Sequence, residues 1–367
     1  MDTVLRNYLK ERLFNFVRKV IQTDTFREEI SSILDEQHYN RYLLSSITYR
    51  DCGTDYPELG VPESRGTMER NDVVFITARF RSGSTFLWNI FRNIQGCTAY
   101  YEPLLQEGPE ERGLGRQHQI DSTHRGVEDY HAEFNRIRGL AEAHKSQWAF
   151  RQLKMDEFHF DPDLENYINL LIENAPGRPV LQFNRVDFRL QWLRSRYPNA
   201  KIMHLFRNPR DQWMSMVKND GYISREFKWD KNNKTAFINT FYLWDWWKDL
   251  HFQMPFLKLD YLEHPYQVHY LVWRMSYLYG KQFSDLSLRY ESVMLSFEQV
   301  MDECLKFLEI KGYDIKKLAN LVNPRVGSGW QDYASDSWFR ELESKAESLL
   351  ASFFKPRDVT RLSEEFT

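Results

Sequence analysis

Hydrophobic positions along the chain change period several times, and the order of those changes predicts most of the architecture. Near the start, Leu5, Leu9, Leu13, Val17 and Ile21 recur every four residues among Arg6, Lys10, Arg12, Arg18 and Lys19, which predicts an amphipathic helix. Asp2 and Glu11 interrupt its basic character and no small-residue cleavage site follows, so docking on the body is favoured over a membrane-surface or transit role. Thr25 with Glu28 makes a capping-box pattern ahead of Ile30, Ile33 and Leu34 and predicts a second helix. From about Arg50 to Arg70 the chain is rich in Gly, Pro and charge without sustained periodicity, and reads as a connector. The division expected is therefore a helical extension with its connector over 1–70 and a main domain over 71–367.

The main domain opens with VVFITA, Val73 to Ala78, a short β-branched run that reads as a buried strand. RFRSGSTFLWNIFRNI follows: small polar residues and arginines up to Thr85, then Phe86, Leu87, Ile90, Phe91 and Ile94 at helical spacing. A strand, a tight loop and a helix in that order present backbone N–H groups to an anion at the helix N-terminus. Gly83 permits close approach, Ser82, Ser84 and Thr85 lie in the loop with hydroxyls, and Arg81 offers a guanidinium fork. An ordinary capped β-to-α turn is the alternative. GxxxxGK[ST] is absent, and GLGRQH near Gly113 fails the third glycine of GxGxxG, so triphosphatase and dinucleotide readings lose their usual support.

Further on, AKIMHLFRNPRDQWMSM predicts a strand from Ile202 to Phe206, then Arg207, a turn at Asn208 and Pro209, and Ser215 eight residues after Arg207. Val180 to Pro198 reads as a strand and a helix, with Arg185 and Arg189 either facing a cleft or lying on a solvated face. Phe237 to Gln253 is an aromatic helix expected to be mostly core. Gln106 to Gln147 interrupts the periodicity as a lid or a surface loop. Together these predict an α/β fold with a mainly parallel sheet flanked by helices.

Composition narrows the chemistry. With 49 Lys plus Arg against 52 Asp plus Glu, the charge of −3 does not call for a polyanion such as nucleic acid, so any anion site must be built locally. Cys52, Cys97 and Cys304 fit neither a disulfide framework nor a metal-ligand spacing, which favours a reducing compartment and predicts no metal centre. No run approaches the roughly 18–20 apolar residues of a membrane span.

RSGSTFL, Arg81 to Leu87, resembles the 5′-phosphosulfate loop of the sulfotransferase family, enzymes that move a sulfuryl group from 3′-phosphoadenosine 5′-phosphosulfate (PAPS). Arg207 and Ser215 are similarly spaced to that family's 3′-phosphate motif. Ser287 to Ile310 resembles its strand and helix with a Tyr-Glu pair, and NPRVGSGW, Asn323 to Trp330, is a looser match in which Arg325 would touch the 3′-phosphate. The resemblance covers roughly Val73 to Arg340. It implies a P-loop-like sulfotransferase fold and PAPS as co-substrate, held by Arg81, Ser82, Gly83, Ser84, Thr85, Phe86, Arg207, Ser215 and Arg325. Phe86 stands where relatives have an adenine-stacking Trp, while Trp88 is expected to be packed. Arg81 and Glu102 are the implied catalytic residues. Glu102, in AYYEPLL, matches a Glu-Pro context in which family members outside the cytosolic animal group have a proposed base. A histidine is the rival base, with His118, His124, His131 and His159 nearby in sequence. The expected activity is in-line sulfuryl transfer to a hydroxyl or amine of a small-molecule acceptor in the cytoplasm. A nucleotide-dependent phosphotransferase and a non-catalytic nucleotide-binding protein are the alternatives. The acceptor's identity and the oligomeric state are not written in the sequence.

Overall fold

The computed structural model describes residues 70–108, 124–217, 225, 243–254, 257, 262–322 and 329–351, all within the unit Pro62–Thr367. The helices expected before residue 70, His118 and Arg325 lie outside the described residues.

Five strands form one parallel sheet: β1 (Val74–Ala78), β2 (Cys97–Tyr101), β3 (Arg178–Phe183), β4 (Lys201–Phe206) and β5 (Leu286–Arg289), in spatial order β2-β3-β1-β4-β5. Every residue of β1 is buried, as a central parallel strand covered on both faces requires. Alternation divides its side chains. Val74, Ile76 and Ala78 pack with Leu87, Ile90 and Phe91 of α1 (Ser84–Arg92), whereas Phe75 joins Tyr100, Leu181 and Ile202 on the opposite face.

Between β2 and β3 the described chain forms short helices, including α2 (Leu140–Ala143), and then α3 (Pro162–Glu173); α4 (Leu190–Arg196) follows β3 and α5 (Pro209–Val217) follows β4. Next come α6 (Leu243–Gln253) and α7 (Pro265–Phe283). After β5 the chain forms α8 (Tyr290–Leu295), α9 (Phe297–Phe307), α10 (Ile315–Ala319), α11 (Trp330–Tyr333) and α12 (Asp336–Ala351). The described part of the expected aromatic helix, Leu243–Gln253, is core: Trp246 and Trp247 of α6 are buried with Trp213, Leu271 and Phe339, while 237–242 lie outside the described residues. α12 is fastened to α5 through Arg210, which donates to both carboxylate oxygens of Glu343 at 2.8 Å and lies 4.8 and 5.0 Å from the rings of Trp330 and Phe339.

The described part of the expected lid, from His124 onward, is tied down rather than free. Arg92 of α1 pairs with Glu133 at 2.7 Å, and Asn89 donates to the Arg125 carbonyl at 2.9 Å.

The solvated alternative for Arg185 and Arg189 is wrong: both are buried, with 3% and 0% exposure. Arg189 acts as a backbone cap. Its guanidinium donates to the carbonyls of Trp148, Arg151, Gln152 and Arg185 at 2.6–3.0 Å, satisfying a turn that has no sheet or helix partner. Asp249 of α6 supplies the complement, accepting the N–H groups of Gln152 and Leu153 at 2.9 and 2.8 Å.

Burial pushes the Asp249 carboxyl up to about 7, with the two backbone hydrogen bonds opposing. Because the folded value exceeds the unfolded one, its stabilising contribution is complete below about pH 4 and is lost as pH rises towards 7. Relative to an Asp249→Asn protein, the wild type should therefore lose up to about 4 kcal/mol of unfolding free energy between pH 4 and pH 7, as read by denaturant titration.

Candidate functional site

The connection leaving β1 runs towards β2 on one side of the sheet, and the connection leaving β4 runs towards β5 on the other. β1 and β4 are neighbours, so their carboxyl ends flank the point where the winding reverses, the usual ligand crevice of such sheets. Both motifs singled out in the sequence lie there.

On the β1 side, Arg81 and Gly83 adopt left-handed backbone conformations, with φ of 63° and 95°. Gly83 is the N-cap of α1, whose N-terminus receives no side-chain cap hydrogen bond and carries no acidic residue in its first turn. The ordinary capped turn is thereby disfavoured, because the first N–H groups and the helix dipole remain available to an anion. Ser82 has a different task from its neighbours. It is buried, and its hydroxyl and N–H both return to the Arg79 carbonyl, at 2.6 and 3.2 Å, shaping the turn. Thr85 shares a 2.9 Å hydrogen bond with the Tyr101 hydroxyl. Phe86 is partly exposed and meets Phe297 edge-on at 5.9 Å, whereas Trp88 is packed and donates to the Ala99 carbonyl.

On the β4 side, Asn208 accepts from the N–H of Arg210 at 3.0 Å and starts α5, which carries Ser215. The two sides meet through side chains: Arg81 Nε donates to Ser215 Oγ at 3.0 Å, and Arg207 donates to the Arg81 carbonyl at 3.1 Å. Arg207 Nε is buried without a hydrogen-bond partner, an orphan donor of the sort that an anionic ligand satisfies.

Tyr290 and Glu291 join both sides, a role the sequence analysis did not assign them. The Tyr290 ring lies 4.8 Å from the Arg207 guanidinium carbon, and a Cβ on Gly83 would stand 2.5 Å from that ring. Glu291 accepts the Asn208 N–H at 2.9 Å. The signal was the position of this pair at the end of a short predicted strand.

Glu102 follows β2 with φ of 41° and is buried, although no apolar pattern marks it as interior. Its Oε1 accepts from Asn184 at 2.6 Å, and its Oε2 forms an ion pair with Arg185. The rival histidines among the described residues have partners of their own: His124 with the Tyr130 hydroxyl at 2.6 Å, His131 with the ring of Phe134 at 5.8 Å, and His159 with Asp156 at 2.9 Å. Beneath the loop, Arg79 pairs with Asp187 at 3.4 Å, and Asp187 also accepts from Thr77 and Ser276 at 2.9 Å. Burial pushes Arg79 down and Asp187 up, and their attraction opposes both shifts. His269, lowered to about 3 by burial, is held neutral and donates to the Pro209 carbonyl at 3.0 Å. Among the described residues no group of three or more His, Cys, Asp or Glu side chains is arranged to hold a metal ion, and no helix is long and apolar enough to cross a membrane.

Gly83→Ala would place a methyl group against the Tyr290 ring at a backbone angle that L-residues rarely adopt. Chemical denaturation should show a loss of about 1–3 kcal/mol for this variant. Part of that loss should disappear when Gly83→Ala is made in a Tyr290→Ala background, because the steric portion is then relieved.

A sequence search of curated proteins finds no match. Among solved structures, the sulfotransferase domain from the curacin biosynthetic pathway is 20% identical, covering 80% of this chain and 96% of that one, with a TM-score of 0.39. Sulfotransferase STF9 from Mycobacterium avium is 13% identical, with coverage of 85% and 81% and a TM-score of 0.42. Mouse sulfotransferase SULT7A1 complexed with PAP is 14% identical, with coverage of 80% and 89% and a TM-score of 0.37. The model of the sulfotransferase family matches residues 73–314, more than half of the chain, so the chain belongs to the sulfotransferase family.

Proposed function

We propose that this enzyme transfers a sulfuryl group from PAPS to a hydroxyl or amine of a small-molecule acceptor and releases 3′-phosphoadenosine 5′-phosphate (PAP). The observation that carries the reading is the junction at the β1 and β4 ends, where Arg81, Ser215 and Arg207 converge and Arg207 Nε has no hydrogen-bond partner. The uncapped start of α1 supports a place for the 5′-phosphosulfate, with Ser84 and Thr85 presenting N–H groups and Phe86 standing on the nucleotide side. Arg207 and Ser215 take the 3′-phosphate, and Arg325 is a further contact in the proposal.

In this mechanism the acceptor oxygen or nitrogen attacks sulfur as the bond from sulfur to the bridging phosphate oxygen breaks. The electron pair of that bond leaves on PAP. The acceptor proton passes to Glu102, and charge on the transferring and leaving oxygens is stabilised by Arg81 and the N–H groups of the loop. Positioning and electrostatics carry such a transfer, so no metal is invoked. Glu102 is suited to receive the proton because its carboxylate is fixed in place by Asn184 and Arg185. The odd, widely spaced cysteines support a reducing, cytoplasmic setting.

Thermal unfolding with PAP, run beside magnesium ATP, tests the donor assignment. A ligand at 100 times its Kd stabilises by about 2.7 kcal/mol, and the shift should appear with PAP, be absent with magnesium ATP and vanish in Arg207→Ala. A shift with magnesium ATP alone would favour a phosphotransferase. Glu102→Gln should lower PAPS turnover by about 100-fold or more and keep the PAP shift. Undiminished turnover would move the base to a histidine.

A further inference from the structure

Gln182 of β3, Asn184 just beyond that strand and Glu102 just beyond β2 form a one-way hydrogen-bond chain that ends on Glu102. Gln182 Nε2 donates to Asn184 Oδ1 at 2.8 Å, and Asn184 Nδ2 donates to Glu102 Oε1 at 2.6 Å. Gln182, Asn184 and Arg185 are 0%, 3% and 3% exposed, so water does not compete for these groups. The direction is forced by chemistry. A carboxylate paired with a guanidinium only accepts, so Asn184 must turn its NH2 towards Glu102 and its carbonyl towards Gln182. Gln182 must then turn its NH2 towards Asn184, which leaves Gln182 Oε1 buried without a partner.

Arg185 grips the second oxygen. Its guanidinium also lies 4.9 Å from the Phe80 ring, next to the loop that carries Arg81. Glu102 is thereby held from two sides by consecutive residues just beyond β3, the strand lying between β2 and β1. Its left-handed backbone, at φ of 41°, is a conformation that surroundings must impose.

We propose that Asn184 and Arg185 are positioning residues for Glu102, with Gln182 setting the direction of the Asn184 amide, so that the carboxylate is presented in one orientation for proton transfer. This rests on the reading of Glu102 as the base. The three residues do not touch the acceptor in this proposal; they act through Glu102.

Isosteric substitutions separate polarity from packing. Asn184→Asp keeps the shape but sets an acceptor against Glu102 Oε1. It should lower the Tm by at least about 2 °C and lower kcat for PAPS turnover by about 10-fold or more, with the KM for PAPS and the PAP-induced shift nearly unchanged. Hydrolysis of PAPS by water serves as the turnover assay and needs no identified acceptor. In the Glu102→Gln background the new amide can donate to the carboxylate that Asn184→Asp introduces. The double variant should therefore recover most of the Tm lost by Asn184→Asp, and the second substitution should produce no further fall in kcat. Arg185→Ala should regain part of its lost turnover when guanidinium is added to the assay.

Equal Tm losses for Asn184→Asp in both backgrounds, or wild-type kcat in Asn184→Asp, would overturn the positioning role while leaving the enzymatic reading intact. Wild-type protein that neither responds to PAP nor turns over PAPS would remove the base assignment, and the positioning role with it.

Discussion

Arg79 follows β1 and is buried, and the loop after it inherits its geometry from the way that charge is satisfied. Asp187, from the segment after β3, neutralises it, while Thr77 of β1 and Ser276 of α7 complete the carboxylate's hydrogen bonds. Trp246 of α6 lies 4.3 Å from the guanidinium carbon. Removing one member of such a pair leaves an uncompensated buried charge, a loss of about 3–5 kcal/mol. Two strand ends and two helices are thus fixed by one ion pair, and the Arg79 carbonyl is free to receive Ser82 and bend the chain into the turn before α1. The anion-type loop is rigid because its base is buried and charged.

The same economy recurs one layer out. Arg189 and Asp249 divide the turn at 148–153 between them, one giving it three hydrogen bonds, the other taking two. Where the backbone has no neighbouring strand, a buried charged side chain supplies what a sheet would have supplied. This lets an irregular segment pack against α6 beside the Asn184, Arg185 and Glu102 group.

Much of this was legible in the sequence because it depends on local period. The buried run of β1, the helical spacing after Thr85, the strand ending at Phe206 and the aromatic α6 are each decided within a few turns or strands, and each is where the pattern put it. The strand order was accessible only as a class, since periodicity carries no information on which strands pair. Arg185, Arg189 and Asp249 were misjudged or missed for a physical reason. Charged residues are usually solvated, and their burial here depends on backbone carbonyls and amides far away in sequence. Glu102 was found through its Glu-Pro context, yet its partners Asn184 and Arg185 lie 82 and 83 residues away. Tyr290 and Glu291 were visible as a pair, but their contact with Gly83, Arg207 and Asn208 exists only once β5 lies beside β4.

The fastening of α12 to α5 sets an order on synthesis. The last strand is complete at Arg289, but Arg210 of α5 finds Glu343 only 133 residues further along the chain. Until that residue emerges from the ribosome, Arg210 of the helix that carries Ser215 lacks its partner, and Tyr266, which packs on Trp213, lacks the rings of Trp338 and Phe339. The nascent chain therefore holds a finished sheet with an exposed aromatic flank while the stretch from Tyr290 to Glu343 is translated, a period of roughly 3 to 11 seconds at about 5–20 residues per second. Chaperone engagement during that interval would fall on this flank.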